Sequence, residues 1–217
     1  MKKIINTLLI FLAIVLYIMQ TPVQAKENEK TYRTNELVEI VKFDPTIKLD
    51  VRYATPNNFL HRAVYNQAKV FLQKPVAESL TNVQKNLREK GIGLLVFDGY
   101  RPWFVTKIFW DETPPEKRKF VADPSVGSIH NRGCAVDLTL YNLMTGKALK
   151  MPCEYDTFSE EAYPTFKGSS KEQRENRDLL IKSMEQEGFK VHPNEWWHFN
   201  HKDCNFYKVL DIPLKDL

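Results

Sequence analysis

Apolar and polar positions alternate in part along Val38-Glu39-Ile40-Val41 and along Ile47-Lys48-Leu49-Asp50-Val51-Arg52-Tyr53, which predicts two strands. Val76, Leu80, Val83 and Leu87 then recur at helical spacing, predicting a helix from Pro75 to Lys90 that stops at Gly91. Ile92 to Phe97 is a short apolar run, read as a buried strand, and Asp98-Gly99-Tyr100-Arg101-Pro102 after it is a turn. Trp103 to Trp110 suits a short helix, and Pro114 to Ser128 is rich in loop formers. Cys134 to Tyr141 reads as a strand of β-formers and apolar residues. A second clear helix runs from about Ser170 to Glu187 and ends at Gly188. Phe189-Lys190-Val191 and Trp196 to Asn200 look like a closing pair of strands. Helices set apart from a mainly antiparallel sheet, which they flank, make the expected class α+β in a single domain.

The amino terminus follows a different pattern. Lys2-Lys3 precede an almost wholly apolar stretch from Ile4 to Met19, Thr21-Pro22 breaks it, and Val23-Gln24-Ala25 offers a small-x-small cleavage signal. These are the parts of a secretory signal peptide, with cleavage expected after Ala25. The competing reading is an uncleaved membrane anchor, because the run approaches the ~18 residues of a spanning helix. With cleavage, no stable membrane anchor remains and the protein is periplasmic or secreted. Residues 26–35 are polar and read as a flexible leader, which leaves 36–217 as the domain.

Composition narrows this little: 217 residues, 43% hydrophobic and 27% charged, are ordinary globular values. The formal net charge of +4 falls to +2 once Lys2 and Lys3 are removed. That is too small to imply a nucleic-acid partner, and no basic cluster interleaved with aromatics appears. Export would permit disulfides. The three cysteines, Cys134, Cys153 and Cys204, cannot all pair within one chain. Cys134, between Gly133 and Ala135, reads as a small buried thiol, and a Cys153–Cys204 bridge stays open. No C-x-x-C pair suggests a cysteine-ligated zinc.

Candidate chemistry concentrates in two short segments. Ser128-Ile129-His130-Asn131-Arg132-Gly133-Cys134-Ala135-Val136-Asp137 carries a histidine and a carboxylate, and Glu195-Trp196-Trp197-His198-Phe199 carries a second such pair. Catalytic zinc commonly takes three nitrogen or oxygen ligands and keeps one open position. The odd spacing of His130 and Asp137 would aim them to opposite faces of a straight strand unless Gly133 turns the chain. Taken alone, His130 could equally be a core histidine and Asp137 a turn residue. Glu195 and His198 are three apart, again out of phase for one strand face, but a loop-to-strand junction could unite them. His198 would then complete a His-Asp-His set, leaving Glu195 free as a base for a water activated by the metal. Trp196, Trp197 and Phe199 are either core or a dry wall for that site. Arg101 beside Asp98 is either an oxyanion stabiliser held by a carboxylate or a structural salt bridge. His61, His192 and His201 read as surface or capping residues.

Together these residues resemble the D-alanyl-D-alanine dipeptidase family, the VanX type, within a wider group of zinc D,D-peptidases marked by S-x-H-x-x-G-x-A-x-D and a later E-x-x-H. The first motif is complete from Ser128 to Asp137 and the second from Glu195 to His198. The likeness extends through Val51-Arg52-Tyr53-Ala54-Thr55, Asn58-Phe59, Phe97 to Pro102 and Asp137 to Tyr141, and spans the chain from about Val38. The resemblance implies one Zn2+ per chain held by His130, Asp137 and His198, with Glu195 as general base. It implies Arg101 as stabiliser of the tetrahedral intermediate and Asp98 as its support. Ser128 is implied at the substrate's carboxylate, and Tyr53 and Asp156 at its free amine. The chain departs from the family near Asp156: Met151-Pro152-Cys153-Glu154-Tyr155-Asp156 stands where Met-Gly and then Phe-Asp are usual. The expected activity is hydrolysis of D-Ala-D-Ala, a small D,D-dipeptide, for D-alanine salvage outside the inner membrane. The alternative is a D,D- or L,D-carboxypeptidase that trims cell-wall peptides. A non-catalytic cell-wall module is a third class, disfavoured because Glu195 and Arg101 are both present.

Overall fold

The computed structural model describes residues 31–217, so the expected signal peptide and the first part of the leader, residues 26–30, lie outside the described residues. Residues 31–36 have no regular secondary structure. The Arg33 amide donates to the Phe206 carbonyl at 2.8 Å, and its guanidinium pairs with Asp203 at 2.7 Å. Among the described residues, no helix is long and apolar enough to cross a membrane.

Seven strands follow: β1 (Leu37–Glu39), β2 (Lys48–Leu49), β3 (Phe71–Gln73), β4 (Ile92–Asp98), β5 (Ala135–Asn142), β6 (Phe189–His192) and β7 (Glu195–His201). The helices are α1 (Ile40–Phe43), α2 (Lys74–Arg88), α3 (Trp103–Glu112) and α4 (Lys171–Gln186). The main sheet has the order β2-β4-β5-β7-β6. Every pairing in it is antiparallel except the parallel edge pair β2–β4. β1 and β3 form a separate antiparallel pair. The α+β expectation holds, with a mixed sheet.

The helices form where the apolar period placed them. Val76, Ala77, Leu80, Val83 and Leu87 turn the buried face of α2 inward. Full burial of such a side chain stabilises by roughly 1.5–3 kcal/mol. Gln84, on the same face, is wholly buried and fully used: its Oε1 accepts from the Leu94 amide at 2.7 Å and its Nε2 donates to the Thr46 carbonyl at 3.1 Å. α4 opens with a reciprocal cap, the Ser170 hydroxyl accepting from the Gln173 amide while Gln173 accepts from the Ser170 amide. Such caps contribute about 1 kcal/mol.

Three local expectations are corrected. The strand expected over Val38–Val41 ends at Glu39, and Ile40 begins the single turn of α1. The strand expected over Ile47–Tyr53 shrinks to β2, and Arg52–Ala54 form a 3-10 turn. That turn buries Tyr53 beside the pocket described below. β3 had no counterpart in the expected elements; it is short and wholly buried, a pattern too brief to separate from a helix start. The cysteines are free, so the open Cys153–Cys204 pairing is not made, whereas Cys134 is buried as expected. Trp196 Nε1 contacts Cys153 Sγ at 3.4 Å, while Cys204 Sγ lies 3.3 Å from the Cys134 carbonyl.

β5 is the central strand, buried along nearly its whole length. Its residues Val136, Leu138 and Leu140 enter the apolar core, which leaves Asp137 on the opposite face by simple alternation.

Candidate metal centre and active site

The sheet register assembles the site. Asp137 on β5 is paired with Asp98 on β4 and with His198 on β7, so three neighbouring strands carry polar groups in one row. Residues opposite each other in a ladder share a face. The row depends on a bulge: β4 advances two residues, Val96 to Asp98, while β5 moves one, Leu138 to Asp137. In an unbroken ladder Phe97 would stand opposite Asp137, and every polar group beyond it would change face. A second irregularity answers the odd spacing of Glu195 and His198. Phe199 is opposite Val191, but Glu195 is opposite His192, so Trp196 to His198 have no partner on β6. Both residues lie on β7 itself, and the distorted strand brings Glu195 Oε2 to 3.6 Å from His198 Nδ1.

His130 arrives from the other direction. It begins a 3-10 turn, His130–Arg132, closed by Gly133 in the left-handed region at φ 68°. This is the sharp turn required between His130 and Asp137. Asn131, wholly buried, ties the turn down: its Oδ1 accepts from the Ser128 amide at 2.6 Å, and its Nδ2 donates to the Arg101 carbonyl at 2.8 Å. The sequence reading gave Asn131 no role.

His130, Asp137 and His198 converge. His130 Nε2 lies 3.3 Å and His198 Nδ1 lies 3.1 Å from Asp137 Oδ1, and the two nitrogens are 3.1 Å apart. Ligands about 2.0–2.1 Å from a tetrahedral zinc stand roughly 3.3 Å from one another, so the triangle has the right size. The far side of each ring is already engaged: His130 Nδ1 donates to the Gly99 carbonyl at 2.7 Å and His198 Nε2 to Asn200 Oδ1 at 2.9 Å. These bonds fix which nitrogens turn inward. Asp137 Oδ2 accepts from the Tyr155 hydroxyl at 2.9 Å, whereas its Oδ1 is buried with no hydrogen-bond partner. A buried carboxylate oxygen facing two imidazole nitrogens and otherwise unpartnered is the coordination a divalent metal would complete. Among the described residues, this is the one group of three or more His, Cys, Asp and Glu that could hold such an ion.

The electrostatics agree. Burial raises the Asp137 carboxyl, but the imidazoles of His130 and His198 outweigh it and hold the group far below its usual range. Burial lowers His198, yet its close contact with Asp137 and that residue's charge push it up to about 9. Glu195 moves the opposite way: burial, opposed by His198 and reinforced by Asp137, pushes it up to about 7. A carboxylate poised there can both take and return a proton near neutral pH.

Arg101 is buried at the edge of this cluster. Its Nε and Nη2 both donate to Asp98 Oδ2, at 3.0 and 2.8 Å, and Asp98 Oδ1 accepts from Tyr65 and from the Gly99 amide. Arg101 Nη2 lies 3.9 Å from Asp137 Oδ2, and the guanidinium covers the Phe109 ring at 4.6 Å. Asp98 is therefore in contact with Arg101, as a supporting carboxylate would be. Ser128 is buried, with its hydroxyl accepting from the His130 amide at 3.2 Å.

A cavity of about 230 Å³ opens onto these groups. It is smaller than the ~300–1,000 Å³ of sites for drug-sized ligands, which suits a small substrate. Tyr53, Arg101, Ser128, Asp156, Glu195 and His198 all line it. In its lining the Tyr53 hydroxyl donates to Asp156 Oδ1 at 3.0 Å, while Asp156 Oδ2 is buried without a partner. Burial, aided by repulsion from Asp137, raises the Asp156 carboxyl well above its usual range. Asp156 also takes a positive φ of 61°. Phe120 and Phe158 stack at 5.2 Å beside the cavity.

The structure brings together every residue the sequence reading singled out for chemistry. Two readings change. Of the two tryptophans, both packed in the core cluster, Trp197 lines the cavity but Trp196 does not, because the distortion of β7 between Glu195 and Phe199 breaks the alternation that would put Trp196 on the face of His198. His192, read as a surface or capping residue, lines the cavity, with its Nδ1 3.9 Å from Glu195 Oε2. His201 does cap, accepting from the Asp203 amide and contacting Ser79 outside the cavity.

The profile of the peptidase M15 family, described as D-ala-D-ala dipeptidase, matches residues 33–211. The chain belongs to this family of metallopeptidases. Among curated relatives, a D-alanyl-D-alanine dipeptidase of Escherichia coli K12 is 31% identical over 177 residues, covering 82% of this chain and 90% of the relative. One of Enterococcus faecalis V583 is 33% identical over 188 residues, covering 78% and 89%. Among solved structures, the LdcB LD-carboxypeptidase aligns with a TM-score of 0.43 at 18% identity, over 80% of this chain and 72% of that one.

Proposed function

We propose that this chain is a zinc-dependent dipeptidase that hydrolyses D-Ala-D-Ala, with His130, Asp137 and His198 as the metal ligands. The observation that carries the reading is the unpartnered Asp137 Oδ1 facing both imidazoles, with Glu195 3.6 Å from His198 and the orphaned Asp156 Oδ2 in the same small cavity. A zinc ion held there supplies Lewis acidity and lowers the pKa of a water it binds. Glu195 takes the water's proton on its carboxylate and returns it to the leaving amine. Arg101, fixed by Asp98, holds the developing oxyanion.

Groups of two kinds in the cavity lining, Asp156 with Tyr53 and Ser128, account for a dipeptide. Asp156 and Tyr53 receive the substrate's ammonium, which supplies the partner that Asp156 Oδ2 lacks. An N-acylated or longer peptide brings no charge to that carboxylate and leaves it unpaired, which is discrimination by penalty. The Ser128 hydroxyl, whose oxygen accepts from His130, keeps its own proton to donate to the substrate's carboxylate.

The deciding experiment measures free D-alanine released by the purified mature protein from D-Ala-D-Ala, L-Ala-L-Ala and N-acetyl-D-Ala-D-Ala, with and without a zinc chelator. Chelator-sensitive release from D-Ala-D-Ala alone is expected. Release from the acetylated substrate would move the assignment to a carboxypeptidase. No release from any of them by zinc-loaded protein would refute both.

The site of action is proposed on the sequence alone. Lys2-Lys3, the apolar run and Ala25 support export and cleavage, and hence D-alanine salvage in the periplasm or outside the cell. Amino-terminal sequencing of the exported protein should read from Lys26, and an intact Met1 in the cytoplasm would refute it.

A further inference from the structure

Tyr155 carries no role in the mechanism above, yet its hydroxyl stands between the two halves of the site. It lies 2.9 Å from Asp137 Oδ2 and 3.2 Å from the Tyr53 hydroxyl, which in turn donates to Asp156 Oδ1 at 3.0 Å. A continuous line of polar atoms thus runs from a proposed metal ligand to the proposed amine acceptor. The ring is buried and held on several sides, 4.6 Å from Phe97, 5.5 Å from Trp197 and 6.1 Å from Tyr53 by ring centroids. A rigid ring delivers its hydroxyl to one place.

We propose that Tyr155 is a positioning residue: its hydroxyl donates its one proton to Asp137 Oδ2 and holds it so that Oδ1 faces the two imidazoles. The inference rests on the zinc dipeptidase reading. A carboxylate with both oxygens free would rotate between them. With Oδ2 engaged by a neutral donor, Oδ1 is left for the metal and the charge of the ligand is kept. A tyrosine hydroxyl, which ordinarily titrates at about pH 10, is a donor at neutral pH. Outer partners of metal ligands matter on this scale: losing one typically costs about 10–100-fold in metal affinity or activity.

The test compares the wild type with Tyr155→Phe and Tyr53→Phe, each keeping its ring and packing. Zinc affinity of the metal-free protein is read by competition with a chromogenic chelator, and KM for D-Ala-D-Ala at saturating zinc. Tyr155→Phe is expected to weaken zinc binding by about 10–100-fold. Tyr53→Phe is expected to raise KM while leaving zinc affinity at the wild-type value, because its hydroxyl does not touch Asp137. A thermal melt of each metal-free variant separates loss of packing, which would lower Tm without moving zinc affinity. Zinc affinity of Tyr155→Phe equal to that of the wild type, or an equal loss in Tyr53→Phe, would overturn the inference alone. A wild type that binds no zinc would overturn it together with the proposed function.

Discussion

Asp137 and His198 stand opposite each other on adjacent antiparallel strands, with Oδ1 3.1 Å from Nδ1. In the metal-free protein this contact keeps a proton on His198 up to about pH 9, because the nearness of Asp137 and its charge outweigh burial. Zinc bound at the proposed site would have to displace that proton. Apparent zinc affinity should therefore fall by about tenfold for each pH unit below 9 and level off above it. Isothermal titration in buffers of different ionisation heat should count one proton released per zinc at pH 7. Affinity independent of pH between 6 and 9 would mean that His198 is not displaced as a proton carrier. Asp137→Asn should weaken zinc binding by more than the roughly 10–100-fold that an outer partner costs.

The proposed role of Glu195 can be tested apart from that of the metal set, though Glu195 lies 3.6 Å from His198. Glu195→Gln keeps shape and hydrogen bonding but cannot take a proton. The zinc content of the variant should match the wild type, while kcat on D-Ala-D-Ala falls by about 10²–10⁴-fold, the usual worth of a general base. KM should change little. Retained kcat would pass the role of base to another group in the cavity, and His192 is the nearest candidate.

Much of this site was legible because its chemistry is local. His130, Gly133 and Asp137 share one short segment, and the need for a turn between the first and last follows from the two-residue period of a strand. The long helices α2 and α4 were equally legible from their apolar period and stops. The bulges that put Asp98 opposite Asp137 and Glu195 beside His198 were not, because register belongs to pairs of strands rather than to either sequence. Tyr155 escaped for a related reason. It lies in a loop whose course depends on distant packing against Phe97 and Trp197. The residue where a phenylalanine was expected adds one hydroxyl, and only the fold shows that it meets Asp137.

Asp156 should show a trade between recognition and stability. Its folded carboxyl is raised, chiefly by burial and then by Asp137, so the folded state holds a proton that the unfolded chain releases. Stability from this group is full below about pH 4, the ordinary carboxyl value, and is lost as pH rises through the folded value. Asp156→Asn removes that loss, and asparagine tolerates the positive φ. Metal-free Asp156→Asn should melt higher than the wild type at pH 8, with the gap closing toward pH 4. Its kcat/KM on D-Ala-D-Ala should drop by roughly 10–100-fold, the worth of one charge-assisted hydrogen bond of about 1.5–3 kcal/mol. A variant that melts lower at pH 8 would contradict the assignment of the penalty to Asp156.

Gly133 couples fold to site most directly. A Cβ there would sit 2.5 Å from Leu37 Cδ2 and 3.3 Å from the Gln73 amide nitrogen, and the backbone is left-handed at φ 68°. The left-handed region costs an L-residue about 1–2 kcal/mol. In a chain of this size each kcal/mol moves Tm by roughly 2–4 °C. Gly133→Ala should therefore lower Tm by roughly 2–8 °C before the contact with Leu37 is counted. Because the turn sets the distance between His130 and Asp137, zinc affinity should fall with it. Adding Leu37→Ala removes the closest contact but not the backbone strain, so the double variant should recover part of the Tm. If the backbone rather than the clash misplaces His130, the same double variant should recover none of the zinc affinity. Full recovery of both would show that Leu37 alone makes alanine intolerable at this turn.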